Sequence, residues 1–216
     1  MTIPMIDPTT GNDDASRPLT TGRYPGYDVL AKRDTPSWND ATRAVIDARL
    51  AVEHKPVFLD VTEWAALDAL CDRLMPQPAG RPRVPLAAYV DRQLAAGKTK
   101  GYRFAGMPHP PEAWKRALAA LDEVAAREQG RPFAALTAAD QDALLGRIRD
   151  GTLEAAALRG MPTKTFWSSH VLHDVLGAYY AHPTAWNEMG WGGPASPRGY
   201  VRLDLDRHDP WEPEEA

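Results

Sequence analysis

The sequence predicts an all-α fold, an irregular bundle of about six helices with Pro/Gly-rich joints and a non-helical, aromatic C-terminal segment. Apolar residues recur at spacings of three and four through the middle of the chain, as one face of a helix requires. No alternating polar and apolar run is bounded as a strand would be. The 216 residues include 20 prolines and 16 glycines, which punctuate the periodic stretches. That proline share, roughly twice the average, excludes a long-helix bundle or a coiled coil. With 44% hydrophobic residues, 7 Trp and 7 Tyr, the chain can build a core.

The first helix begins at Asn39 or Asp40, either of which can cap a loose stripe of Val45, Ile46, Arg49, Leu50 and Val52. Thr62 caps the second, where Trp64, Leu67, Leu70, Cys71 and Leu74 recur at helical spacing until Pro76 and Pro78 end it. A proline-rich bend leads to a third helix through Leu86, Tyr89, Val90 and Leu94, closed by Gly97. Pro110 and Pro111 start a fourth through Trp114, Leu118, Leu121 and Val124, closed by Gly130. Thr137, with Asp140 three residues on, opens a fifth that carries Leu144, Leu145 and Ile148 to Gly151. A sixth runs from about Thr163 to Tyr180. These divide the chain into an extended or mobile N-terminal arm over residues 1–38, a helical domain over 39–181, and a Trp/Gly/Pro-rich loop with an acidic tail over 182–216. Within the arm, Tyr24, Tyr27 and Val29 can pin part of the chain to a surface.

Composition removes several functions. A net charge of −4 argues against binding nucleic acid through its phosphates. A single cysteine, Cys71, excludes an intramolecular disulfide and a CxxC zinc site. No apolar run reaches the ~20 residues that a membrane span needs. The first 32 residues show no signal peptide and no twin-arginine pair, so the chain reads as cytoplasmic, with periplasmic co-export on a partner's signal as the other route.

The densest polar cluster is Ser168, Ser169, His170, His173 and Asp174, with His182 further on. His170 and His173 share a helix face, and with Asp174 or His182 they offer an imidazole and carboxylate set for zinc or iron. The alternative function is therefore a metal-dependent enzyme at His170, His173, Asp174 and His182. Against it stand the missing HExxH spacing and the ordinary role of such histidines on a helix surface. There is no GxSxG for a serine hydrolase, and Ser168 and Ser169 fall mid-helix. Cys71 lies on an apolar helix face, where a thiol acts as a small hydrophobe. The glycines at 190, 192 and 193 fit no phosphate-binding motif. They sit instead among Trp186, Asn187, Trp191, Pro194, Arg198 and Tyr200, residue types that concentrate binding energy at protein interfaces. Trp186, Asn187, Trp191, Gly192, Gly193, Pro194, Arg198 and Tyr200 are the predicted partner-binding residues. No catalytic constellation is expected.

Three stretches carry a resemblance: FLDVTEWAALDALCDRLMP from Phe58 to Pro76, YVDRQL from Tyr89 with FAALTAADQDALL from Phe133, and AYYAHPTAWNEMGWGGPASPRGY from Ala178 to Tyr200. In order and spacing they resemble the small-subunit family of gluconate 2-dehydrogenase, its subunit 3 or gamma subunit. The resemblance implies a non-catalytic subunit without a cofactor of its own in a heteromeric sugar or alcohol dehydrogenase. Its large subunit would be a flavoprotein of the glucose-methanol-choline (GMC) type holding the FAD, often with a cytochrome c subunit to pass electrons on. The small subunit would support folding and maturation of the large one, chaperone-like, and its export. Two features depart from the family pattern. A polar arm stands where a twin-arginine signal is usual, and Thr184, Ala185 and Trp186 replace a double-glycine turn after Pro183.

Overall fold

A computed structural model describes residues 24, 26–77, 79, 82–97, 101, 104–196, 199 and 211–213. Helices α1 (Asp40–Leu50), α2 (Val61–Leu74), α3 (Leu86–Ala95), α4 (Pro110–Gln129) and α5 (Ala138–Asp150) follow the sequence periodicity. The sixth expected helix is continuous but changes pitch: α6 (Thr163–Phe166) passes through a π-helical turn, Trp167–Val171, into α7 (Leu172–Tyr180). The described residues contain no strand, so the fold is all-α.

Two elements differ from expectation. Asp60, not Thr62, caps α2: its carboxylate accepts from the Thr62 and Glu63 amides at 2.9 Å each. Glu63 reaches back to the Asp60 amide at 3.1 Å and completes a capping box. The second difference is a short helix, α8 (Pro183–Met189), where a non-helical segment was expected. Local chemistry accounts for it. The His182 side chain accepts from the Thr184 amide, Pro183 stands in the first turn, and Gly190 closes the helix in the left-handed region at φ 65°.

The core is built around α4, whose Trp114, Ala117, Leu118, Leu121 and Val124 are fully buried. α2 packs there through Leu67, Leu70 and Cys71, α5 through Leu144, Leu145 and Ile148, and the α6–α7 helix through Phe166, Val171 and Val175. Burying a large apolar side chain contributes roughly 1.5–3 kcal/mol, which makes this cluster the main source of stability. One buried polar residue is central to the path of the chain. Asp91 on α3 is fully buried, and its carboxylate accepts from the backbone amides of Val57 (2.6 Å), Phe58 (3.2 Å) and Leu59 (2.8 Å). It thereby fixes the segment that enters α2. Among the described residues, no helix is long and apolar enough to cross a membrane.

Candidate functional site

The aromatic segment after α7 is where the sequence places a partner surface, and the structure divides its residues into two groups. Trp186, on α8, is only 2% exposed. Its indole Nε1 donates to the Tyr180 carbonyl at 2.7 Å, and its ring packs with Val29, Trp38 and Ile46 in a small second core. Asn187 is bonded at both ends of its amide: Oδ1 accepts from the Val29 amide at 2.7 Å, and Nδ2 donates to Asp28 Oδ1 at 3.2 Å. The Gly192 carbonyl accepts from the buried Lys32 ammonium. Gly193, also buried, has φ 68°, and a Cβ there would sit 2.7 Å from Val29 Cγ2. Only glycine admits so close an approach in that backbone conformation. Trp186, Asn187, Gly192 and Gly193 are therefore engaged by the chain's own residues 27–32, which form a 3-10 turn at Val29–Lys32.

Trp191 differs. Its backbone is held, because its amide donates to the Trp186 carbonyl at 2.9 Å and its carbonyl accepts from the Tyr27 hydroxyl at 3.1 Å. Its indole meets Trp186 edge to face at 4.8 Å yet remains 43% exposed. Pro194 is half-buried beside it in the chain, and Arg198 and Tyr200 lie outside the described residues. Tyr180 (48%), Met189 (43%) and Leu50 (44%), on the neighbouring helix ends, are also large exposed apolar residues.

Next to this loop, α1, α3 and α7 enclose a cleft of about 370 Å³ lined by Arg49, Tyr89, Gln93, His173, Asp174 and the small residues of α7. Asp174 is buried in its wall, where it accepts from Trp114 Nε1 at 2.9 Å and Gln93 Nε2 at 3.0 Å. Arg49 ties the cleft to the loop: its guanidinium donates to the Ala181 carbonyl at 2.9 Å and lies 5.8 Å from the Trp186 ring. The signal that sequence reading missed here is the pair Arg49 and Gln93, whose roles depend on helices far apart in the chain.

The histidine set has separate tasks. His170 Nδ1 lies 2.7 Å from Ser169 Oγ, and its ring stacks near Phe166 at 5.6 Å. His173 is exposed, with Nδ1 3.9 Å from Asp174 Oδ1. His182 is buried and caps α8 through Nδ1, 3.2 Å from the Thr184 amide. Burial, helped by the nearby Arg49 charge, lowers its pKa from 6.5 to about 4, so the ring is neutral and able to accept that bond near neutral pH. Among the described residues, no three His, Cys, Asp or Glu side chains are placed to hold a metal ion together. The predicted alternative site at His170, His173, Asp174 and His182 is thus not assembled. The π turn and the capping role of His182 send these rings to different neighbours. Ser168 and Ser169 donate to the carbonyls of Lys164 and Thr165, as mid-helix hydroxyls do. Burial pushes the Cys71 thiol well above its ordinary pKa, with Asp68 and Asp72 adding to the effect.

Among protein families, the model for gluconate 2-dehydrogenase subunit 3 matches residues 61–193, from the start of α2 to Gly193. Comparisons with curated proteins and with solved structures return no match.

Proposed function

The chain belongs to the gluconate 2-dehydrogenase subunit 3 family, and from that premise we propose that it is a non-catalytic subunit that binds and stabilises a catalytic partner. That partner is an FAD-dependent, GMC-type large subunit of a sugar or alcohol dehydrogenase, whose maturation this chain assists, with a cytochrome c subunit as a further member of the complex. The observation that carries the reading is the family match itself, which takes in every helix from α2 to α8 and the loop bearing Trp191.

The side-chain chemistry supports it. Three of the groups that could act as acids, bases or ligands are occupied with folding: His182 caps a helix, Asp174 receives Trp114 and Gln93, and Cys71 is a buried thiol of raised pKa. What the surface offers is apolar contact at Trp191, Tyr180, Met189 and Leu50. An exposed indole on a held backbone loses little freedom on docking, and tryptophan is a frequent hot-spot residue. Obligate interfaces of this kind bury on the order of 2,000 Å² or more.

The test is co-expression with the flavoprotein encoded nearest to this chain's gene, followed by purification through a tag on the small chain. A stoichiometric complex carrying flavin absorbance is expected. A monodisperse small chain that leaves the flavoprotein behind would overturn the reading.

A further inference from the structure

We propose that residues 26–50 form a strap that opens and closes over Trp186 as one unit while the helical bundle beneath stays folded. The inference stands on the fold and does not depend on the identity of any partner. The described residues hold two separate apolar clusters. The large one runs from Leu59 to Ala185 through α2–α7, and the small one comprises Val29, Trp38, Ile46 and Trp186, with Tyr27 and Leu30 against it. In the small cluster every member except Trp186 belongs to residues 26–50, and Trp186 is what they cover. α8 has a residue in each cluster, Ala185 in the large one and Trp186 in the small one, so α8 remains seated when the strap lifts.

Bonds within the strap make it a single body. The Arg43 guanidinium donates to the carbonyls of Arg33 (3.0 Å) and Trp38 (2.7 Å), Arg33 pairs with Asp47, and Thr35 Oγ1 donates to the Lys32 carbonyl at 2.7 Å. These tie the 3-10 turn to α1. Attachment to the rest of the protein uses few apolar groups. It runs through Asn187, the carbonyls of Trp191 and Gly192, an Asn39 amide bond to the Ser196 carbonyl at 3.0 Å, and Arg49 with Ala181 and Tyr89. A segment held by a small core and peripheral hydrogen bonds opens at lower free energy than the main core. Closing also takes the Lys32 ammonium to 1% exposure, and removing a charge from water opposes closure.

The seat of the strap is shaped for it. A Cβ at Gly193 would meet Val29, one at Gly190 would meet the Tyr24 ring ahead of the strap, and both glycines have positive φ. The moving part has a defined limit, because Asp91 clamps the amides of residues 57–59 immediately downstream.

Hydrogen exchange of the full chain, read by mass spectrometry under conditions that report opening equilibria, tests this with Asn187→Ala. The substitution removes the bonds to Asp28 and Val29. The amides of α1, a different part of the strap, should exchange roughly 5- to 100-fold faster, in step with those of Val29–Lys32, while α2 and α4 keep wild-type rates. Unchanged α1 amides would overturn the single unit, and equal acceleration of α2 and α4 would overturn its independence. Tyr27→Phe removes only a hydroxyl, so it leaves the fold intact if Asn187→Ala does not. The same pattern is expected from it at roughly 2- to 10-fold, and either contrary pattern overturns the proposal equally.

Discussion

His182 makes the fold sensitive to acid in a way that can be calculated. In the folded chain its imidazole is buried and accepts the Thr184 amide through Nδ1, and a protonated ring has no lone pair there to offer. Its pKa falls from 6.5 to about 4, first from burial and then from Arg49. The sign follows from proton counting. Between those two values the unfolded chain binds a proton that the folded chain refuses, so stability rises with pH across the window and is lost on acidification. Above about pH 7 both states are neutral at this site and the contribution is complete. At pH 4 the expected loss is about 3 kcal/mol, a large part of the 5–15 kcal/mol that holds an ordinary domain together.

Other carboxylates titrate in the same range, so the measurement must be a difference. His182→Asn retains a good N-cap, since its side-chain oxygen accepts from the same amide but does not ionise. Urea unfolding of both proteins at intervals from pH 7 to pH 4 then isolates the imidazole. The variant is offset at pH 7 by its lost packing against Tyr89, whose ring lies 6.2 Å from that of His182. The two stability curves should converge on acidification by about 3 kcal/mol, mostly below pH 6. Curves that stay parallel to within about 1 kcal/mol would refute the reasoning, since they would mean that the folded protein accepts the proton freely.

Two further outcomes are expected. Asp91→Ala removes a fully buried carboxylate and leaves three backbone amides, that of the buried Leu59 among them, without their acceptor; it should cost about 3–5 kcal/mol in urea unfolding, whereas a loss below about 1 kcal/mol would mean that water replaces the carboxylate. Trp191→Ala, at a side chain 43% exposed, should leave the thermal midpoint nearly unchanged and weaken binding to the large subunit more than about 30-fold in a titration. Full affinity with an intact fold would place the docking surface elsewhere.

Much of this architecture was legible from local chemistry. Gly130 and Gly151 end α4 and α5 in the left-handed region at φ 68° and 81°, and Pro110 stands in the first turn of α4, as residue type alone predicts. α8 was harder to read because Pro183–Met189 is too short for a three-four repeat to emerge. Its caps were nevertheless present in the sequence as His182 and Gly190. The Asp60 cap carries its own signal, the capping-box spacing to Glu63, although Thr62 stands nearer the apolar stripe that starts at Trp64. The candidate site was legible only as a composition. Trp186 and Trp191 have the same side chain and stand close together in the sequence, and what separates them is contact with residues 27–46, far back in the chain. The histidines illustrate the same limit. Their three-residue spacing assumes one helical pitch, and the π turn at Trp167–Val171 interrupts it.

The fates of the two tryptophans also follow from one another. Trp186 can be buried because Val29, Trp38 and Ile46 supply the apolar surface that α8 lacks on that side. Once it is buried, its ring is a fixed wall against which Trp191 stands edge to face, and its carbonyl takes the Trp191 amide. Tyr27, on the strap, holds the Trp191 carbonyl. The exposed indole is therefore positioned by the buried Trp186 and the half-buried Tyr27. The surface that indole presents lies at the edge of the family-matched region, whereas the strap that shapes it lies outside the match. Apart from Leu50 at the end of α1, contact and control thus reside in different parts of the chain. A change at Tyr27 or Val29, away from the exposed Leu50 at the strap's end, can alter how firmly Trp191 is presented without altering Trp191 itself.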